Sequence, residues 1–359
     1  MMSGEKLGDR YEIQEQLGKK PGRQTFLARD QETQDLVVVK VLTFSDEFEW
    51  EQLKLFEREA QTLRNLSHPN IPKYLDYFEL NGLNFPQTKG FALVQTYIAA
   101  KSLEEQLKSG RKFTEGEVKQ LAHELLEIII YLHSINPSVI HRDLKPSNIL
   151  LSNRSGHNVG NVYLIDFGSV QNLAAKEGGT ITVVGTYGYM PPEQFGGRGV
   201  PASDLYSLGA TIIYLVTGVH PADLPQQNLE IQFEHLVNLS PFLITWLKLM
   251  TAPSLDKRFT SAKKALQALL NPQIIRSCEG AGELVNLRVV QQKKKSQLEQ
   301  LMELPGDIIT IIFTGMATIA AQIFYLFFGI TMAVLTPFPV NLIIILVLLY
   351  GFGSWASKR

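Results

Sequence analysis

Cysteine is almost missing from this chain. A single one, Cys278, occurs in 359 residues, so no disulfide can close within it and no thiolate cluster can hold zinc. A reducing compartment is the natural expectation. An excess of either charge is missing too. The 34 Lys and Arg stand against 35 Asp and Glu, a formal net charge of -1, and with no global basic field no nucleic-acid partner is expected. The opening residues, Met1-Met2-Ser3-Gly4-Glu5-Lys6, lack the apolar core of a secretory signal, so the folded part is expected in the cytoplasm. No internal repeat and no low-complexity tract is seen. The last absence is local: residues 308–357 hold no Asp, Glu, Lys, Arg or His.

What is present supports a sizeable core, with 45% hydrophobic and 19% charged residues. The uneven charge divides the chain into an extension (1–10), a folded domain (11–270), a mixed connector (271–307) and an apolar tail (308–357). Within the domain, 11–13, 25–28 and the β-branched run 36–42 read as strands. A charged helical stretch over 47–66 stops near Ser67-His68-Pro69. Further strands are expected over 71–79 and 90–98, a first lobe ending near residue 98. Helices follow over 103–108 and 114–132, short strands around 148–151 and 162–165, and helices again over 204–270. Strands first and helices after imply two lobes with a cleft between them.

The chemistry is concentrated in His141-Arg142-Asp143-Leu144-Lys145-Pro146-Ser147-Asn148, followed by Asp166-Phe167-Gly168. Phosphoryl transfer needs a carboxylate to take or orient the acceptor hydroxyl's proton, and oxygen ligands for magnesium on a triphosphate. Asp143 suits the first role; Asn148 and Asp166 suit the second.

These motifs resemble the catalytic loop and the Asp-Phe-Gly motif of the eukaryotic-type (Hanks-type) protein serine/threonine kinases, in their bacterial, membrane-anchored form. The resemblance covers about residues 11–270. It implies an α+β, bilobal protein kinase-like fold, with a small β-rich N-lobe and a larger helical C-lobe, to which the apolar tail adds C-terminal transmembrane helices. It implies ATP and Mg2+ as cofactors, with Mn2+ as an alternative ion, and protein Ser/Thr hydroxyls as acceptors. Lys40, ending Val37-Val38-Val39-Lys40, matches the lysine that contacts the α- and β-phosphates, and Glu59 matches its carboxylate partner. Glu57 is the alternative partner, since one sequence leaves the helical register open. Lys145 matches the lysine beside the transferred phosphoryl group, the mark of serine/threonine rather than tyrosine specificity, and Thr186 the threonine that bonds near it. Leu17, Gly18, Thr25, Val38, Gln95, Thr96, Ile98 and Leu150 match the nucleotide pocket, Thr96 and Ile98 through their backbone. Glu193, in Met190-Pro191-Pro192-Glu193, matches an ion-pair partner of Arg258. Asp204 matches an anchor beneath the catalytic loop; a helix N-cap is its plainer reading.

The glycine-rich loop departs from the family pattern. Leu17-Gly18-Lys19-Lys20-Pro21-Gly22-Arg23 keeps only the first glycine in place, and Lys20 and Arg23 stand at the other two positions. Glycines there let backbone N–H groups approach phosphate, so these side chains either crowd that approach or add positive charge. Arg142 matches an arginine that meets a phosphate on the activation segment, which makes Thr180 and Thr182 candidate autophosphorylation sites.

The tail is expected to span a bilayer of about 30 Å, residues 308–335 forming one helix and 338–356 a second. Thr336-Pro337-Phe338-Pro339 breaks the run between them. Lys293-Lys294-Lys295 and Lys358-Arg359 then lie on one cytoplasmic side by the positive-inside rule. One span with a re-entrant segment is the alternative, and a homodimer is left open. Two other functions compete: a nucleotide-responsive scaffold without turnover, and a phosphotransferase acting on small molecules.

Overall fold

The computed structural model describes residues 4–44, 50–80, 89–152, 159–172 and 184–273. The chain divides into units Met1–Ser277 and Cys278–Arg359, and every described residue lies in the first. Thr180, Thr182, the connector past residue 273 and the apolar tail fall outside the described residues. Among the described residues no helix is long and apolar enough to cross a membrane.

The first lobe is built from β1 (Lys6–Leu7), β2 (Tyr11–Lys20), β3 (Arg23–Asp30), β4 (Leu36–Thr43), α1 (Trp50–Asn65), β5 (Tyr74–Leu80) and β6 (Gly90–Thr96). Its strands form one sheet in the order β1-β2-β3-β4-β6-β5, each pair antiparallel. Alternation along β4 decides which face each residue meets. Val37, Val39 and Val41 join Tyr11, Phe26 and Val94 in a core on one side of the sheet. Val38, Lys40 and Leu42 take the opposite side, where Leu42 and Leu93 pack with Phe56 of α1. The sheet begins earlier than its sequence pattern indicates. Lys6–Leu7 pairs with the start of β2, and Leu7 is wholly buried, so part of the expected extension belongs to the sheet. β5 begins at Tyr74 rather than residue 71, because Pro72 has no N–H for a ladder.

The second lobe contains β7 (Lys101–Ser102), α2 (Leu103–Lys108), α3 (Glu115–Ser134), β8 (Val139–Ile140), β9 (Ile149–Ser152), β10 (Asn161–Leu164), β11 (Gln171–Asn172), α4 (Pro192–Phe195), α5 (Pro201–Thr217), α6 (Pro241–Met250) and α7 (Ala262–Leu270). Ser102 with Glu105, and Thr114 with Glu117, form reciprocal capping boxes that start α2 and α3. α3 is the axis of the lobe. Its buried stripe Val118, Leu121, Ala122, Leu125, Leu126, Ile129 and Leu132 follows the helical repeat and packs on α5 and α7. Burial of each large aliphatic contributes about 1.5–3 kcal/mol. The stretch 204–270 is not one helical run. α5 stops at Gly218, whose left-handed φ of 70° suits a C-terminal cap, and Pro221 and Pro241 interrupt the chain beyond it. α5 also begins before Asp204, at Pro201. Asp204 therefore lies inside the helix and is not its N-cap.

A buried ion pair joins two distant parts of this lobe. Arg258 Nη1 donates to Glu193 Oε1 at 2.7 Å and Nη2 to Oε2 at 3.2 Å. The arginine also donates to the carbonyls of Ala252 and Ala202, at 2.9 and 3.0 Å. Its side chain is fully buried, against 12% exposure for Glu193. Removing one partner strands the other, so Arg258→Ala should cost about 3–5 kcal/mol. Urea unfolding of the variant measures this; a loss near zero would show that the pair is dispensable.

Candidate active site

Lys40 sits in the middle of β4, paired with Thr25 of β3 and Leu93 of β6. Its ammonium donates to Glu59 of α1 and, at 2.9 Å, to Asp166 Oδ1. Glu59 is buried while Glu57 is exposed, which resolves the register in favour of Glu59. Burial pulls the Lys40 ammonium down, but Asp166 and Glu59 outweigh it and hold it above its ordinary value. Lys40 in turn holds Asp166 well below the usual carboxylate range, against burial, whereas burial pushes Glu59 up. Lys40 is bonded to both carboxylates, while Arg23 and Lys20 favour the ionised forms of Glu59 and Asp166 from further off.

The second cluster centres on Asp143. Its Oδ1 accepts from Thr186 Oγ1 at 2.7 Å and its Oδ2 from Lys145 Nζ at 2.8 Å. Lys145 Nζ also donates to Thr186 Oγ1 at 2.7 Å. Asn148 Nδ2 donates to the Asp143 carbonyl at 2.8 Å and to Oδ2 at 3.2 Å. This commits the nitrogen of Asn148, while its amide oxygen, met by Ser147 Oγ at 3.4 Å, can act as a donor atom toward a metal. The Ile165 N–H donates to the Asn148 carbonyl at 2.9 Å, locking the segment before Asp166 onto the catalytic turn.

The site includes two strained backbone positions. Arg142 and Asp166 have φ of 65° and 67°, unusual for residues with a Cβ. Asp204 supports the first of them: its carboxylate accepts from the N–H groups of His141 at 3.0 Å and Arg142 at 2.8 Å, and from His133 Nε2 at 2.8 Å. Thr186 depends on Gly185, where φ is 134° and a Cβ would lie 2.5 Å from Gln194 Nε2. Gln194 carries no recognisable sequence signal. It is buried, and it ties Val184 to the catalytic loop by donating to the carbonyls of Val184 and Arg142, at 2.6 and 2.7 Å. The Arg142 guanidinium donates to the Ser169 carbonyl at 2.6 Å and to Gln171 Oε1 at 3.2 Å. These contacts tie the catalytic loop to the start of the activation segment.

Gly18, Thr25, Val38, Lys40 and Gln95 share one face of the first sheet, whereas Thr96 pairs with Val37 on the other. Gly18 pairs with Thr25, and Thr25 with Lys40; Val38 pairs with Gln95. Gln95 is buried and Leu17 is 46% exposed, while Val38 and Leu150 are half-buried. The Thr96 N–H donates to the Lys73 carbonyl at 3.0 Å, so Thr96 could serve a base only through its carbonyl. Ile98 lies just past β6, its carbonyl accepting from the Ala100 N–H at 2.8 Å. The glycine-loop segment is a hairpin, with a register shift between Gln16 and Gly18. β2 and β3 stay paired to their tip, Lys20 opposite Arg23, around Pro21-Gly22 with Gly22 at φ 68°, the Pro-then-Gly order of a type II turn.

A model of the protein kinase domain matches residues 11–275. The chain belongs to the protein kinase family. It is 39% identical over 231 residues to serine/threonine-protein kinase B of Synechocystis, covering 61% of this chain and 38% of that one. To serine/threonine-protein kinase PknA of Nostoc it is 35% identical over 279 residues, 73% of this chain and 47% of the relative. To PrkC of Bacillus subtilis it is 29% identical over 251 residues, 68% and 36% of the two chains. The chain thus spans about half or less of the length of these relatives. These kinases are bacterial, as the sequence motifs led one to expect. Family membership implies ATP and a divalent ion, and the donor set fits one. Magnesium on a triphosphate takes one or two protein oxygens and keeps water and phosphate for the rest. Asn148 and Asp166 offer that number, and among the described residues no group of three His, Cys, Asp or Glu could hold a metal unaided.

His141 is the one histidine at the centre of this protein kinase's catalytic loop, wholly buried and edge-on to Phe167 at 5.0 Å. Burial pulls its imidazole below the ordinary 6.5. The unfolded chain therefore binds the proton first, and stability is full above 6.5 and falls as pH drops below it. Urea unfolding from about pH 7.5 to about pH 5.5 should show the decline, with a smaller slope in His141→Phe. His68 is depressed by burial too, so the difference between the two slopes, not either alone, reports His141. Equal slopes would assign the proton elsewhere.

Proposed function

We propose that the chain is an ATP- and magnesium-dependent protein serine/threonine kinase, membrane-anchored through its tail and autophosphorylating at Thr180 or Thr182. The observation that carries this reading is the closed arrangement Asp143–Lys145–Thr186. A carboxylate whose two oxygens are held by a lysine and a threonine has one fixed direction from which to take or orient a serine or threonine hydroxyl's proton. Lys145 places a positive charge next to that proton acceptor, where charge develops on a transferred phosphoryl group. Lys40, kept in place by Glu59, can turn from carboxylates to phosphate oxygens without leaving its strand. Magnesium, when bound, supplies neutralisation and alignment of the phosphates. The bacterial relatives, named as serine/threonine-protein kinases, support the Ser/Thr class. Anchoring rests on the fifty uncharged residues 308–357, a length that exceeds one bilayer span of about 20 residues.

The full chain, incubated with labelled ATP, magnesium and a generic protein acceptor, should transfer label to serine or threonine. Asp143→Asn should lower the rate by about 10²–10⁴-fold. Phosphosite mapping of the same reaction should find Thr180 or Thr182 modified; finding neither would sink the autophosphorylation part. Absence of transfer with nucleotide binding intact would return the scaffold reading, which the altered glycine loop favours. Anchoring has its own test. The chain mixed with lipid vesicles in detergent, then dialysed, should float with them and resist alkaline carbonate, and release by carbonate would reject the span.

A further inference from the structure

A glycine has no side chain with which to touch a neighbouring element. Arg23, at the position of the family's third loop glycine, has one and uses it. Its Nη2 donates to the Gln52 carbonyl in the first turn of α1 at 2.9 Å. Its guanidinium lies 5.9 Å from the centroid of the Phe56 ring, one turn further along the same helix. The arginine also reaches Gly168: a Cβ built there would lie 3.6 Å from Arg23 Nη1 and 3.2 Å from Glu59 Oε2. The Glu59 carboxyl accordingly feels the guanidinium, which favours its ionised form.

The hairpin tip is itself fixed, so it can serve as an anchor. The Gly22 carbonyl accepts from the Thr43 N–H at 2.9 Å, joining the tip to the end of β4. Gln52 Oε1 would stand 3.2 Å from a Cβ at Gly22, so the first turn of α1 lies against the turn. Gln52, Phe56 and Glu59 follow one another at helical spacing, so the side that Arg23 holds is the side that presents Glu59 to Lys40.

From these contacts we infer that Arg23 is a positioning residue: it latches the tip of the β2–β3 hairpin to α1 and thereby keeps Glu59 on Lys40. This rests on the kinase reading and adds to it a link between the phosphate loop and the helix. The arginine thus points to α1 rather than taking up the phosphate-contacting work of the lost glycine.

The first test needs no turnover. Hydrogen exchange of the full chain without nucleotide should rise about tenfold in α1 in Arg23→Gln, with α3 unchanged, since local opening is set by local contacts. Arg23→Lys, which keeps the charge but not the planar fork, should restore part of the protection. Unchanged exchange in α1, or an equal rise in α3, would overturn the latch. The second test is kinetic: Arg23→Gln should lower kcat about tenfold with KM for ATP within about twofold, the pattern of a misplaced catalytic group. A rise in KM alone would make Arg23 a phosphate ligand and reject positioning. A wild-type chain that transfers nothing would fail the kinase reading, while the exchange experiment still decides the role of Arg23.

Discussion

Lys40 carries one positive charge and satisfies two carboxylates that arrive from different elements, Glu59 on α1 and Asp166 after β10. Three parts of the molecule meet at this ammonium: the sheet, the helix packed on it, and the segment that leads out of the catalytic loop. An unpaired Glu59, 1% exposed, would be costly at this depth, so the helix is drawn toward the lysine. A divalent ion with polyphosphate would meet the carboxylate of Asp166 while giving Lys40 new oxygen partners.

The Asp143 cluster is rigid for a different reason. Here the backbone is held in conformations it does not prefer, at Arg142 and Asp166, and the cost is met by specific hydrogen bonds rather than by packing. Asp204 supplies two of them from inside α5, and burial of its carboxylate is offset by His133 and by these N–H groups, which hold it below its usual range. Gln194 and Gly185 then bring Thr186 within reach of Asp143. The site is thus braced from beneath by a helix and from the side by the segment that carries Thr186.

The hairpin at the glycine-loop position shows how one departure from a family pattern can be absorbed. Losing two glycines removes the close approach of backbone to phosphate, yet Pro21-Gly22 keeps the turn tight and the strands paired to its tip. The two basic side chains stand opposite each other on one face. Arg23 spends its side chain on α1, while Lys20 stays exposed and near enough to Asp166 to favour its ionised form. Positive charge is therefore added under the hairpin without closing it.

Much of this was legible in the residues because the chemistry is local in sequence. Asp143, Lys145 and Asn148 lie within six positions, and a single turn of chain brings them together, so their motif identifies the reaction type before any fold is known. The β-branched run of β4 and the apolar stripe of α3 likewise carry their own periodicity. By itself, then, the sequence determined the family, the two-lobed order of strands and helices, and the candidate site residues. Tertiary structure decided what depends on register and long-range approach. Glu59 rather than Glu57 meets Lys40 because α1 packs with Phe56 inward; Asp204 acts within a helix because α5 starts at Pro201; Gln194 and Arg23 acquire roles that no local pattern encodes. These contacts join residues far apart along the chain, and only the packed core fixes which side of a helix or strand each partner presents.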